Sequence, residues 1–248
     1  MRIVAVAFAL LGSVGLAAQG RAQQPPSTPR ADAPIDLAGT WVSVVTEEWR
    51  WRMVTPPKGD FSSIPYNDEA RRVGQTWDPA ADERSGNACR AYGAAGIMRM
   101  PGRVRISWQD ENTLKLEADA GQQTRIFRFN RSQAPVGDAG WQGSSRAEWR
   151  YATRADRSGG PQPGYGTLTV TTTNMRPGYL FKNGAPYSGN AVLTEHFQRH
   201  NAPNGDQWIT VVVILDDPTY LTERYVTSYH FKREPDDSRW RPTPCTAG

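Results

Sequence analysis

Four runs in the last third of the chain decide the fold: Thr167-Leu168-Thr169-Val170-Thr171-Thr172-Thr173, Val192-Leu193-Thr194-Glu195-His196-Phe197-Gln198-Arg199, Trp208-Ile209-Thr210-Val211-Val212-Val213-Ile214-Leu215 and Tyr225-Val226-Thr227-Ser228-Tyr229-His230-Phe231-Lys232. Loops rich in Gly, Pro and Asn separate them, and no long helical period interrupts. That pattern predicts an antiparallel meander.

Upstream, three further strands follow one another closely. Arg103–Gln109 sets Val104, Ile106 and Trp108 against Arg103, Arg105 and Ser107. Thr113–Asp119 sets Leu114, Leu116 and Ala118 against Lys115, Glu117 and Asp119, and Gln122–Asn130 carries Ile126 on one parity with Phe127 and Phe129 on the other. Asp110-Glu111-Asn112 and Ala120-Gly121 are tight connections, so these strands are expected to be neighbours in the sheet. Ser144–Tyr151 alternates Ala147, Trp149 and Tyr151 with Arg146, Glu148 and Arg150.

The first strand is expected to run from Trp41 to Met53, with Trp41, Val45, Trp49, Trp51 and Met53 on one parity and Ser43 and Glu47 among them. Val42, Val44, Glu48, Arg50 and Arg52 take the other parity. Thr55-Pro56-Pro57 ends it, because proline cannot donate to the ladder. Ile64–Gln75 is a helix candidate capped by Asn67 or Asp68, closed by Trp77-Asp78-Pro79. Asp82–Gly96 is expected as loop. About nine strands with one or two short helices favour an all-β closed barrel, which removes exposed edges; a two-sheet β-sandwich is the alternative.

Residues 1–22 read as a secretory signal peptide: Met1-Arg2, an apolar run from Ile3 to Ala18, then small residues. An uncleaved anchor is the alternative. Residues 23–34 form a flexible Pro-rich lead-in, and 35–248 a single barrel domain. No other stretch is apolar enough to span a bilayer, so the protein is expected to be periplasmic or secreted. The net charge of +4 is spread among acidic residues and matches no nucleic-acid-binding module. The chain's two cysteines, Cys89 and Cys245, are expected to be bridged in an oxidising compartment, with two buried thiols as the alternative. In the loop-closure model so long a loop is worth about 4–5 kcal/mol.

Several segments together resemble a group of exported bacterial proteins with a lipocalin-like β-barrel and no generally assigned activity. They are Asp36–Trp41, Trp49-Arg50-Trp51-Arg52-Met53 with Thr55-Pro56-Pro57, Asn67–Arg72, Cys89–Gly93, Met175-Arg176-Pro177-Gly178-Tyr179, Leu193-Thr194-Glu195 and Asp217–Thr222. The Gly39-x-Trp41 motif is similar to the start of lipocalin-type barrels. That likeness implies that Trp41 plugs one end, under Lys232 or Arg233 of the last strand. No catalytic residue comes with the resemblance.

His196 and His200 are four residues apart on a strand, about 13 Å, which is too far for one zinc; no metal or cofactor is implied. Glu195 shares parity with Leu193 and Phe197, and Glu47 sits among tryptophans. Each either works as an acid or base or holds an arginine. The segment from Met175 to Tyr179, with a turn at Asn183-Gly184, is a loop expected over a barrel mouth.

The first functional expectation is a barrel that binds a small apolar or aromatic molecule. Trp49, Trp51, Trp108, Trp149, Tyr229 and Phe231 would form the wall, and Arg50, Arg52 or Arg176 would orient an anionic group. The second is a cofactor-independent lyase, isomerase or hydrolase using Glu47, Glu195, His230 and Tyr179. A third class, an interaction protein, would show a filled barrel and an apolar exterior patch. Oligomeric state is not legible.

Overall fold

A computed structural model describes residues 27–47, 52–129, 138–153 and 161–248. The expected leader, together with Trp49, Arg50 and Trp51, lies outside the described residues. Eleven strands are described: β1 Gly39–Val44, β2 Arg103–Asp110, β3 Thr113–Ala118, β4 Gln123–Arg128, β5 Ser144–Thr153, β6 Pro161–Thr173, β7 Gly178–Phe181, β8 Ala185–Tyr187, β9 Val192–Asn201, β10 Gln207–Asp216 and β11 Tyr225–Arg233. Nine of them close into a barrel in the order β1-β11-β10-β9-β6-β5-β4-β3-β2, and β7 and β8 form a separate hairpin. The short helices are α1 Asp68–Gly74, α2 Pro79–Arg84, a 3-10 turn Ala88–Tyr92 and α3 Ala94–Ile97. All nine expected strands are present, and the barrel prevails over the sandwich.

The structure corrects three local expectations. First, β1 stops at Val44 instead of reaching Met53. Arg52 turns back so that its Nη1 lies 2.5 Å from Glu47 Oε1, whereas five residues of straight strand would hold them about 17 Å apart. Second, β4 and β5 run parallel, meeting only at Phe127↔Ser145 and Arg128↔Arg146 among the described residues. Third, part of Asp82–Gly96 is helical. Asp78-Pro79, expected as a terminator, starts α2: Pro79 occupies the first turn and the Asp78 side chain accepts from Ala81 N. Asn67 caps α1, accepting from Ala70 N at 2.9 Å.

The barrel interior is packed. Leu114 and Leu116 of β3, Phe127 of β4, Leu168 of β6, Leu193 and Phe197 of β9 and Phe231 of β11 are all buried. Each comes from the apolar parity of its strand. Phe127 and Phe197 approach to 5.8 Å between ring centroids.

The two ends are closed differently. At the end marked by the β2–β3 and β9–β10 turns, Trp41 is fully buried, its indole N–H donates to Leu37 O at 3.0 Å, and Arg233 lies over its ring at 5.5 Å. Arg233 is thus the basic partner, while Lys232 turns outward to Asp206 at 2.8 Å. The opposite end is not an open mouth. The three helices and the β7–β8 hairpin cover it, with Ile97, Met98, Leu180, Phe181 and Tyr187 buried there. Gly184, at φ +85, makes the hairpin turn, and Asn183 Nδ2 fastens it by donating to Asp60 O at 2.9 Å.

After β11 the tail returns along the outside of β1 to β3. Trp240 lies under Arg105 at 4.4 Å, Thr243 N donates to Asp119 O at 2.9 Å, and Cys245 is bridged to Cys89. The bridge spans 156 residues and ties the tail to the helical cap.

Replacing Trp41 with Ala is expected to cost about 3–5 kcal/mol through the cavity left behind. The lost cation–π contact would add only about 0.5–2 kcal/mol. Urea denaturation measures the sum; a Trp41→Ala protein with the parent's midpoint would refute the plug.

Candidate functional site

The residues singled out in the sequence fall into four places. The deepest is the barrel centre, where Glu195 of β9 meets Arg125 of β4. Arg125 Nη1 donates to Glu195 Oε1 at 2.8 Å and Nη2 to Oε2 at 2.5 Å, with both side chains fully buried. Nη2 also donates to Thr172 Oγ1 at 3.2 Å, and Thr172 and Ser145 hydroxyls lie 2.8 Å apart. Such a forked pair uses both carboxylate oxygens, leaving Glu195 as the holder of an arginine. Arg125 was missed from the sequence. Its signal was its parity, shared with Phe127 on an inward face.

The second place is the rim beyond β1. Glu47 bridges Arg52 and His230: its Oε2 lies 3.0 Å from His230 Nδ1, and Thr46 Oγ1 lies 2.6 Å from the same nitrogen. Arg52 is buried, donates to Arg99 O at 3.0 Å and Ser43 Oγ at 2.8 Å, and lies 5.1 Å from the Tyr229 ring. Glu47 and His230 therefore lie together, whereas Glu195, expected in the same cavity, is held by Arg125 in the barrel interior.

The third place is a cleft of about 180 Å³ in the cap, lined by Asp82, Arg90, Tyr179, Tyr187 and Tyr220 among others. Tyr179 O–H donates to Asp82 Oδ2 at 3.1 Å, Arg90 Nη1 donates to Asp82 Oδ1 at 2.8 Å, and Arg90 stacks over Tyr179 at 4.8 Å. Burial pushes the Tyr179 hydroxyl up to about 12, so it remains a donor. Arg176 lies nearby, stacked on Trp141 at 4.0 Å and bonded to Asn87 at 3.2 Å.

The fourth place follows from the parallel β4–β5 pairing. Two rungs hold the strands together; beyond them Phe129 and the stretch from Ala147 to Tyr151 part, and a cavity of about 230 Å³ opens in the barrel wall. Two half-buried rings, Phe129 and Trp149, line it, and Trp108 packs behind them. Trp108 stacks on Phe129 at 5.6 Å, Phe129 lies 5.4 Å from Trp149, and Trp108 lies 6.5 Å from Trp149. Residues 27–32 form the other wall. Pro29 O accepts from the Trp149 indole at 2.7 Å, and Arg30 pairs with Glu111 at 3.2 Å. Trp108 and Trp149 are thus neighbours, while Tyr229 and Phe231 belong to the core and the Arg52 contact.

Comparison with protein-family models, with curated proteins and with solved structures gives no match to this chain.

Glu195→Gln leaves Arg125 buried without its counter-charge, so a stability loss of about 3–5 kcal/mol is expected. Chemical denaturation measures it. A loss within the range of a surface change, about 0.5 kcal/mol, would show that the pair is not the centre of the core.

Proposed function

We propose that this protein is an exported, lipocalin-like barrel that binds a small aromatic or apolar molecule in the fissure between β4 and β5. The observation that carries this is the pair of half-buried rings, Phe129 and Trp149, that lines a 230 Å³ opening and is backed by Trp108. Rings packed in this way present a large, rigid contact surface at little entropic cost. The Trp149 indole supplies one polar handle, now used by Pro29 O. The packed centre of the barrel directs the molecule to this opening instead of the middle. Export is supported by the Cys89–Cys245 bridge, which suits an oxidising compartment.

A second role is favoured by one distance, the 3.0 Å between Glu47 and His230 Nδ1. A carboxylate that holds one imidazole nitrogen leaves the other as a general base, which is the arrangement needed for a cofactor-independent lyase, isomerase or hydrolase. Binding takes precedence because the fissure joins an opening to aromatic rings that line it.

Titration with the neutral probe N-phenyl-1-naphthylamine tests the binding role through quenching of tryptophan emission. Trp149→Ala is expected to weaken binding by about tenfold or more, the loss that follows from removing about 1.5–3 kcal/mol of ring burial. Unchanged affinity would place the ligand elsewhere. Chemical conversion of molecules that copurify with the protein, abolished by Glu47→Gln, would move the function to the rim.

A further inference from the structure

The outer wall of the barrel has two unlike halves. Around β2 to β5 the outward positions carry charge, with Arg105 3.5 Å and Lys115 3.1 Å from Glu117, and the C-terminal tail lies across part of that half. Around β6, β9, β10 and β11 no such charge is found. The unbroken registers of these four strands place Thr167, Thr169, Thr171 and Thr173 outward on β6, and every second residue from Val192 to His200, Trp208 to Ile214 and Val226 to His230 outward on the others. None of these outward residues is Lys, Arg, Asp or Glu. Among the described residues, charges return at the margins, as the Lys232–Asp206, Arg224–Asp216 and Arg150–Glu148 pairs and as Glu47 beside His230.

β10 is apolar on both faces except at the outward Thr210. Ile209, Val211, Val213 and Leu215 point into the core, while Trp208, Val212 and Ile214 point out and are only half-buried. A strand that faces water on one side normally alternates apolar with polar; a near-continuous apolar run is the mark of burial on both sides. Val226 at 58% and Val192 at 37% exposure extend the apolar surface to β11 and β9. Across β10, β9, β6 and β5 runs a shallow groove of about 400 Å³ that reaches from Val212 past His196 to Arg150.

We infer that this face is the interface of a homodimer, with a second copy of the chain packed sheet against sheet about a two-fold axis over Val212. Charge decides the occupant. A face whose charges are confined to its edges offers little sign complementarity to a charged partner, but its central strands meet their own image without like-charge contacts, which is the condition for an isologous interface. Sheets packed in this way align within about 30° and interdigitate their side chains. Size agrees as well. Four strands about 4.8 Å apart and roughly eight residues long present a plane of about 500 Å² before side-chain relief. Relief brings it toward the ~800 Å² that each partner contributes to a standard interface. The fissure lies on the other side of β5 and stays open in such a dimer.

Sedimentation velocity on the full chain across a hundredfold concentration range tests the inference. A dimer is expected, with Val212→Lys weakening association at least about tenfold while the circular dichroism melt is retained. Lys115→Ala on the charged half should leave association unchanged. Val212→Cys under mild oxidation should give a cross-linked dimer on a non-reducing gel, because this position faces its own copy. A chain that remains monomeric at the highest concentration overturns the inference, whether it then captures neutral lipid vesicles or nothing. A dimer indifferent to Val212→Lys and not cross-linked through Val212→Cys overturns it equally.

Discussion

The forked ion pair between Arg125 and Glu195 is the constraint on which the interior depends. Two ions in a dry barrel are costly to desolvate, and their attraction offsets this only when every oxygen and most N–H groups find partners. Here the carboxylate takes two charge-assisted bonds and Thr172 takes a third from the same guanidinium. The side chains that carry the pair span the barrel from β4 to β9, strands that lie on opposite sides of β5 and β6. Phe127, Phe197 and Leu168 then pack around the pair, and the middle of the barrel becomes core.

Function is thereby displaced to the places where the wall or the ends are unusual. One end is stoppered by Trp41 and Arg233. The other is covered by the segments between β1 and β2 and between β6 and β9, held down by the tail and its bridge to Cys89. Among the described residues the β4–β5 seam is the weakest of the wall, since two parallel rungs close it where the adjoining seams have six and nine. The aromatic fissure and the face with charges only at its edges are consequences of one closed wall whose sectors are exposed to different things.

Much of this was legible. Alternation located all nine barrel strands, while side-chain chemistry narrowed the cap to Asn67 or Asp68 and marked the Asn183-Gly184 turn, because each rests on local chemistry: period two, a side-chain acceptor, a positive φ. The Gly39-x-Trp41 likeness placed the indole and narrowed its partner to two residues, of which Arg233 is the one. Strand direction was not legible. Alternation is the same for parallel and antiparallel pairs, so nothing near Phe129 or Ser144 announced the seam. The end of β1 was hidden as well, because the parity of Trp41 continues formally through Glu47 even though Glu47 is drawn to Arg52 and His230. For the site, the individual residues were visible but their grouping was not. Glu47 with His230, and Trp108 with Trp149, could be joined only once the register was known.

The central claim is that the barrel centre is filled and that the fissure, not the centre, receives a ligand. Indole N–H signals in a ¹⁵N-labelled sample report on both at once, since Trp41 marks the plugged interior while Trp108 and Trp149 mark the opening. On addition of 1-naphthol, the signals of Trp108 and Trp149 should shift and that of Trp41 should stay still. A shift of the Trp41 signal with Trp149 unmoved would contradict the account, because it would place the bound ring inside the barrel.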